Sequence, residues 1–569
     1  MKKGILVLGM VLMGVGVFGQ GNWLWARQAT GTGTQDPNSI ITDVLGNIYV
    51  TGGFKDSAIT FGSITLTNAG DWDMFIVKYD ANGNVLWAKN VGSNSRDGGC
   101  SIATDVFGNI YVTGFYSSSS LVITPIFGGP ITLTNNGSDD IFVIKYDTNG
   151  NVIWAKSYGG TSTDDSFAIT CDALGNIYIT GGFNSPFLVF GTTTLANPGS
   201  GFDMFIVKYD TNGNVIWAKS TGGNNWDNGY SVAIDTSGIY VTGYFSNPTI
   251  VFGSTTLTLF GSSGSDMFIV KYDANGNVLW AKNGGGSTWD FGTSIAVDVS
   301  GNVYVTGYFD SQSAIFGSDT LTNISANYDM FIVKYNSNGN VLRAKSAGGN
   351  NNDKGLYVAT DVSGIYVTGG FDSPNIVFGF DTLYFPGGGS DPMFFVKYDF
   401  NGNIICLTIL PSGGDDNCAI APDGFGNVYL AGDFYNVNPF ILGTDSLSLT
   451  SLETFFIAKY NCNVTTVNIT QLPTPDSQLT LYPNPTTSNL TIAFTKNTKK
   501  VLLTITDITG KLIYTATASE IEKMNVNTNG FAEGVYNVKI QTDDSTGSST
   551  GSASSPPGDV VYKKLIVEK

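Results

Sequence analysis

Hydrophobic positions in the 569-residue chain gather in short runs rich in Val, Ile, Phe and Tyr, cut by Gly-Asn and Asn-Gly pairs. Such runs predict β-strands, because branched and aromatic side chains fit a pleated surface while Asn and Gly accept the positive φ of tight hairpins. The runs also recur. DMFIVKYDANGNVLWAK fills 73–89, close copies begin at 140, 203 and 266, weaker ones at 329 and 391, and a truncated one at 453. Their lysines (Lys78, Lys145, Lys208, Lys271, Lys334, Lys397 and Lys459) are spaced 67, 63, 63, 63, 63 and 62 residues apart. A fixed period of this size specifies one supersecondary unit repeated in a stack.

Each period holds a second module, such as SIAVDVSGNVYVTGYF at 294–309. Together the modules predict four strands per unit: A (SIAVD), B (NVYVTGYF), C (DMFIVKYD) and D (NVLWAK). Strands A, B and C occur seven times, whereas D follows C only six times. The missing D is WLWAR at Trp23–Arg27, which predicts a ring closed by pairing the N-terminal strand with strand C of the last unit. The expected fold is all-β: a closed seven-bladed β-propeller, followed by a small C-terminal β-sandwich. Near-continuous apolar runs agree with blades covered on both faces. The C-strand lysines interrupt those runs, and each is expected to be buried and paired with the Asp that ends strand A, from Asp43 to Asp423.

Up-and-down blades put the A–B and C–D hairpins on one face and the B–C and D–A connections on the other. The second face carries the candidate site. Eight residues before each strand A Asp stands another Asp (Asp97, Asp164, Asp227, Asp290, Asp353 and Asp415, with Asp36 one position off). These carboxylates and the nearby Trp72, Trp226 and Trp289 are candidate ligand-binding residues, the tryptophans for stacking on sugars. The competing reading is that each Asp caps its own loop, as Asx side chains do in turns; the tryptophans break the repeat and so carry more functional weight.

The pattern FG..TL, then D.F.VKYD..GNV.WAK, then GNVYVTG.F resembles the SBBP family of β-propeller repeats from bacterial secreted proteins. That resemblance covers about 440 residues and implies an extracellular propeller without fixing an activity. Arg343 and Cys406 depart from it, replacing the strand D Trp of positions 25, 87, 154, 217 and 280. Beyond the repeats, LTLYPNPTTSNLTIAF, VLLTITDITGKLIY, GFAEGVYNVKI and VVYKKLIVEK resemble the type IX secretion sorting domain of the Bacteroidota. The matching positions are Tyr482, Pro483, Asn484, Pro485, Gly510, Gly534, Val535, Tyr536, Lys563 and Lys564. The resemblance implies an address read by the outer-membrane translocon, and so a protein that is secreted or attached to the cell surface.

Met1–Lys3 and the apolar stretch Gly4–Phe18 read as a signal peptide. The expected organisation is therefore a signal peptide at 1–19, the propeller at 21–461, a linker at 462–477 and the sorting domain at 478–569. No later segment reaches the roughly 20 apolar residues that membrane spanning needs.

A net charge of −18 disfavours nucleic acid and anionic lipid as partners. The five cysteines (Cys100, Cys171, Cys406, Cys418 and Cys462) are odd in number and do not recur with the repeat, so they make no disulfide framework; only Cys406 and Cys418 are near enough in sequence to invite a bridge, and buried thiols are the simpler expectation. The chain has no histidine, which removes Ser-His-Asp, Cys-His and His-ligated metal chemistry. No cofactor or metal is expected, and Asp-x-Asn-Gly-Asn reads as a hairpin rather than a calcium loop. The leading expectation is a non-enzymatic binding or adhesion protein for a glycan or protein. The alternative is a secreted carbohydrate-active enzyme using paired carboxylates on the B–C and D–A face.

Overall fold

A computed structural model describes residues 21–55, 57–323, 325–385, 392–410, 418–424, 426–435, 437–462, 479–482, 488–498, 501–507, 512–531, 534–542 and 560–567. The chain divides into two compact units, 1–465 and 466–569. The first is a seven-bladed β-propeller of four-stranded antiparallel sheets. Blade 1 shows the pattern: A is Gln35–Thr42, B Ile48–Phe54, C Asp73–Tyr79 and D Val85–Val91. Blade 7 takes A, B and C from Cys418–Pro422, Asn427–Phe434 and Thr454–Asn461, and its fourth strand is the N-terminal Asn22–Gln28. Trp23 pairs with Tyr460 and Arg27 with Ile457, so the ring closes as the strand count requires.

The blades have no polar face because each is sandwiched. Met74 and Ile76 of blade 1 share a core with Val112 and Phe142 of blade 2, while Phe75 and Val77 share one with Phe455 and Ile457 of blade 7. Burying both faces is what favours these branched and aromatic runs. A two-stranded hairpin in each B–C connection, such as Ala58–Phe61 with Ile64–Thr67, is an element the sequence reading did not separate. Its turn is the FG..TL motif, and Gly62 at φ 59° supplies the left-handed residue. These hairpins bridge to the preceding strand D or the loop after it, as at Thr30–Thr60 and Gly285–Ile315.

The lysine expectation is half corrected. Lys78, Lys145, Lys208, Lys271 and Lys397 are buried, but among the described residues only Lys459 forms an ion pair with a strand A Asp, Asp423 at 3.6 Å. The others lie over the strand B tyrosine, as Lys78 over Tyr49 at 5.0 Å. Five of them, Lys78 to Lys334, donate Nζ–H to a carbonyl in the next blade's C–D hairpin, as Lys78 to Thr148 at 3.2 Å. The carboxylate is already committed: Asp43 accepts Leu45 N–H, Asn47 N–H and the Tyr49 hydroxyl, closing the A–B turn. Those five lysines therefore strap each blade to the next through the carbonyl, each ammonium lying over its own blade's tyrosine ring. Asp80 caps the C–D turn in the same way through Asn82 and Asn84.

The cysteine expectation is also corrected. Cys406 is bonded to Cys462, not left as a thiol, with Cα atoms 5.9 Å apart, while Cys418 is a buried thiol. The bridge ties strand D of blade 6 to the end of strand C of blade 7, next to the closure. A 56-residue separation corresponds to about 4 kcal/mol in the loop-entropy treatment. Replacing both by Ala should lower unfolding free energy by about that amount in denaturant titrations, and an unchanged midpoint would contradict a structural role.

The second unit has a three-stranded sheet (Leu479–Tyr482, Asn489–Thr498 and Ile521–Asn527) and a four-stranded one (Leu512–Ala518, Val501–Asp507, Gly534–Thr542 and Val560–Val567). Leu490, Ile492 and Val526 of the first meet Leu503, Ile505, Tyr536 and Val538 of the second in one core. Of the sorting-signal positions, Tyr482, Gly534, Val535, Tyr536, Lys563 and Lys564 lie in these strands. Pro483, Asn484, Pro485 and Gly510 lie outside the described residues, as do the signal peptide and nearly all of the linker.

Candidate functional site

Strand A of each blade is innermost, and successive A strands are linked around the ring. Ser39 Oγ accepts Ile102 N–H, Ser101 Oγ accepts Ile169 N–H, and Ser294 Oγ accepts Val358 N–H. Tyr357 of blade 6 donates its hydroxyl to the Asn38 carbonyl of blade 1 at 3.1 Å. Above it a cavity of about 500 Å³ opens at the channel mouth, lined among others by Asp36, Asn38, Trp72, Arg96, Cys100, Phe115, Phe167 and Tyr230.

A shared backbone irregularity shapes this lining. Strand A of blades 1 to 6 carries one extra residue opposite strand B: Asn38, Cys100, Phe167, Tyr230, Thr293 and Leu356. A β-bulge bends the strand and re-aims its side chain. Every one of these bulged side chains lines the cavity. The bulged residue differs in every blade although the flanking sequence repeats, so the fold requires the bulge but not its side chain.

From this lining an arc of aromatic rings crosses blades 3 to 5. Centroids lie 5.3 Å apart for Phe167–Tyr230, 5.4 Å for Tyr230–Tyr244, 4.8 Å for Tyr244–Phe291, 5.1 Å for Phe291–Tyr308 and 4.9 Å for Tyr308–Tyr328. Five of the six rings are partly open to solvent and Tyr244 is buried. Lys354 sits over Tyr308 at 6.0 Å, closing the arc on the blade 6 side.

The predicted site residues separate into two groups. Trp72 lines the cavity. Trp289, 46% exposed, stacks parallel on Phe291, and Trp226, 58% exposed, meets Phe202 edge-on at the rim. The aspartates Asp97, Asp164, Asp227, Asp290 and Asp353 are fully buried at the start of strand A, which corrects their assignment as ligand-facing groups. Asp97 accepts Ser93 N–H and both the N–H and hydroxyl of Ser118; Asp164 does the same with Gly160 and Ser185. They pin the D–A loop to the B–C segment and so cap the loop. In blade 1 Gln35 occupies this buried position, which turns Asp36 to the channel. Asp415 lies outside the described residues.

These caps sit beside a second buried Asp at the start of strand C of the preceding blade. Burial, and then the neighbouring charge, raises Asp227 beside Asp203, Asp290 beside Asp266, and Asp353 beside Asp329 to about 7; Asp140, beside Asp164, rises to about 6. A carboxyl whose folded value exceeds its unfolded one stabilises the fold below the unfolded value and loses that contribution as pH rises through the folded one. Thermal stability should thus fall between about pH 5 and about pH 8, and a melting temperature that rises over that window would contradict the pairing. In turn aspartates such as Asp80, burial pushes the carboxyl up but the Asn84 side chain and the Asn84 and Asn82 N–H groups together bring it below its ordinary value, so these groups act only below that window.

One further carboxylate directly follows a cap, at the position Asp36 holds in blade 1. Asp165 is raised to about 7 by burial and by the adjacent Asp139 and Asp164, with Arg96 opposing. Among the described residues no group of three or more Cys, Asp or Glu is placed to hold a metal. No helix there is long and apolar enough to cross a membrane.

Comparison with known proteins bears on both units. Residues 480–550 match the secretion system C-terminal sorting domain, and residues 24–52 and 284–311 match the SBBP β-propeller repeat. An uncharacterized WD repeat-containing protein, L264, of Acanthamoeba polyphaga mimivirus is 29% identical over 389 residues, 55% of this chain and 27% of that protein. The regulatory protein FlaEY of Caulobacter vibrioides is 27% identical over 145 residues, 26% of this chain and 15% of that protein. The chain thus spans under a third of the length of these curated relatives. Among solved structures, the Neurospora crassa Pan2 WD40 domain aligns with TM-score 0.36 at 9% identity, covering 77% of this chain and 97% of that domain. At that level the likeness carries nothing about function. The sorting-domain match, on a unit with its own sandwich core, implies interaction with the secretion machinery. The chain is a seven-bladed β-propeller of SBBP repeats carrying a type IX secretion sorting domain, and so a protein that is secreted or attached to the cell surface.

Proposed function

We propose that the propeller is a non-enzymatic binding module that takes a glycan at the channel mouth. The observation supporting this is the unbroken aromatic arc at positions where the repeat varies. An architectural need would recur in every blade, whereas Tyr244 and Tyr308 stand where Gly53, Gly182 and Gly370 stand elsewhere. Partly exposed rings flanked by Asp36, Arg96 and Lys354 supply apolar faces for sugar rings and charged groups for hydroxyls. The test is a glycan array probed with the purified protein. Saturable binding to a saccharide series is expected, and binding to none of the saccharides would overturn the reading.

A second reading rests on Asp165. A carboxyl raised to about 7 beside Asp139 has the character of a general acid paired with a second carboxylate. Hydrolysis of an array ligand that is lost in Asp165→Asn would favour this enzyme. Binding without turnover, unchanged in Asp165→Asn, favours the module.

A further inference from the structure

Strand D normally ends each blade interface on the hairpin face with an indole. Trp87, Trp154, Trp217 and Trp280 each lie against a glycine of the next C–D turn, close enough that a Cβ there would sit about 3 Å from the ring. Each donates Nε1–H to a carbonyl of that hairpin at 3.1–3.3 Å. In blade 5 the indole is replaced. Arg343 occupies its place against Gly402, with Nη1 2.8 Å from where a Cβ would stand. Lys345 donates to the Gly402 carbonyl.

A cavity of about 220 Å³ lies here between blades 5 and 6. Lys334, Arg343 and Lys345 line it beside Tyr398 and Phe400, and no carboxylate does, in a chain with 46 acidic and 28 basic residues. Lys334 is engaged by Phe400 O and the Tyr304 ring. Arg343 has no carboxylate within ion-pair reach among the described residues, and its repulsion adds to burial in lowering the Lys345 ammonium, against the pull of Asp399. Asp399 itself caps its own turn through Asn401 and Asn403. Arg343 is exposed and Lys345 half-buried, and like charges held together are unfavourable until an anion joins them.

We propose that this cavity binds a compact oxyanion, a carboxylate, sulfate or phosphate group, through the Arg343 fork and the Lys345 ammonium. The planar guanidinium presents paired donors that match two oxygens of such a group, and Lys345 adds a point charge. The site lies on the hairpin face and is independent of the aromatic arc.

Sulfate, inorganic phosphate and glucuronate are titrated separately into the full-length protein at low salt and followed by calorimetry. Saturable binding of at least one is expected, weakening as ionic strength rises; the preferred anion identifies the source. Arg343→Trp restores the residue of the other blades, so it should keep its melting temperature yet bind about tenfold more weakly or worse. Lys345→Gln should weaken binding in the same direction with Arg343 intact. No saturable binding of any of the three anions, or equal affinity in a folded Arg343→Trp protein, would overturn the proposal.

Discussion

A chain lacking residues 478–569 is expected to fold its propeller and remain in the periplasm, while the full-length chain reaches the medium or the cell surface. The propeller closes without that segment, because its last strand comes from Asn22–Gln28 and its seventh blade ends at Asn461. The deleted unit packs a core of its own around Leu503, Ile505 and Val538, as a separately folding domain does. The segment removed carries the match to the secretion system C-terminal sorting domain. Fractionation and immunoblotting of cells expressing both forms measure this. Equal amounts of the two forms in the medium would remove the sorting role and leave the propeller standing.

Removing residues 22–28 instead is expected to abolish the monomeric native state. Strand C of blade 7 would become a bare edge with Phe455, Phe456 and Ile457 behind it, all fully buried in the closed ring, and such an edge invites pairing between chains. Trp25 and Ala26 would leave the cores on both sides of the blade. Loss of a side chain the size of Trp25 alone costs about 3–5 kcal/mol, a large part of a domain's net stability. Size-exclusion chromatography should show aggregate, and a monomer with native near-ultraviolet dichroism would contradict velcro closure. Restoring WLWARQ after Tyr460 through a DANGN turn should recover the fold, since the Tyr79-to-Val85 spacing of blade 1 then sets Trp23 opposite Tyr460 as it is natively.

The repeat made this fold legible because strand count and strand identity are both written in it: seven tyrosines of strand B, seven lysines of strand C, and WLWAR displaced to the N-terminus. Which repeated side chains meet, within a blade or between blades, was not legible. Lys78 and Asp43 recur together, which invited a pairing, but recurrence does not say that Tyr49 stands between the ammonium and the carboxylate. Cys406 and Cys462 are distant in sequence and meet only because blades 6 and 7 are neighbours. The aspartates failed as ligand-facing groups for the reason that made them conspicuous: a residue present in nearly every blade serves the blade. The arc was available in principle, since the variable position of T-G-x-F reads Gly, Phe, Gly, Tyr, Tyr, Gly through the first six blades. What the sequence lacked was the bulge that brings Phe167 and Tyr230 to the same mouth.

If the aromatic arc takes the ligand, as proposed, a double variant of its central rings should lose affinity. Phe291→Ala with Tyr308→Ala removes two adjoining rings at the most contacted part of the arc, and Val106→Ala on the opposite hairpin face, 55% exposed, serves as the control. For a saccharide identified on the array, truncating central aromatic contacts at about 2 kcal/mol each predicts a loss of hundreds-fold or more, with the control unchanged. A folded double variant that binds with wild-type affinity would contradict the account.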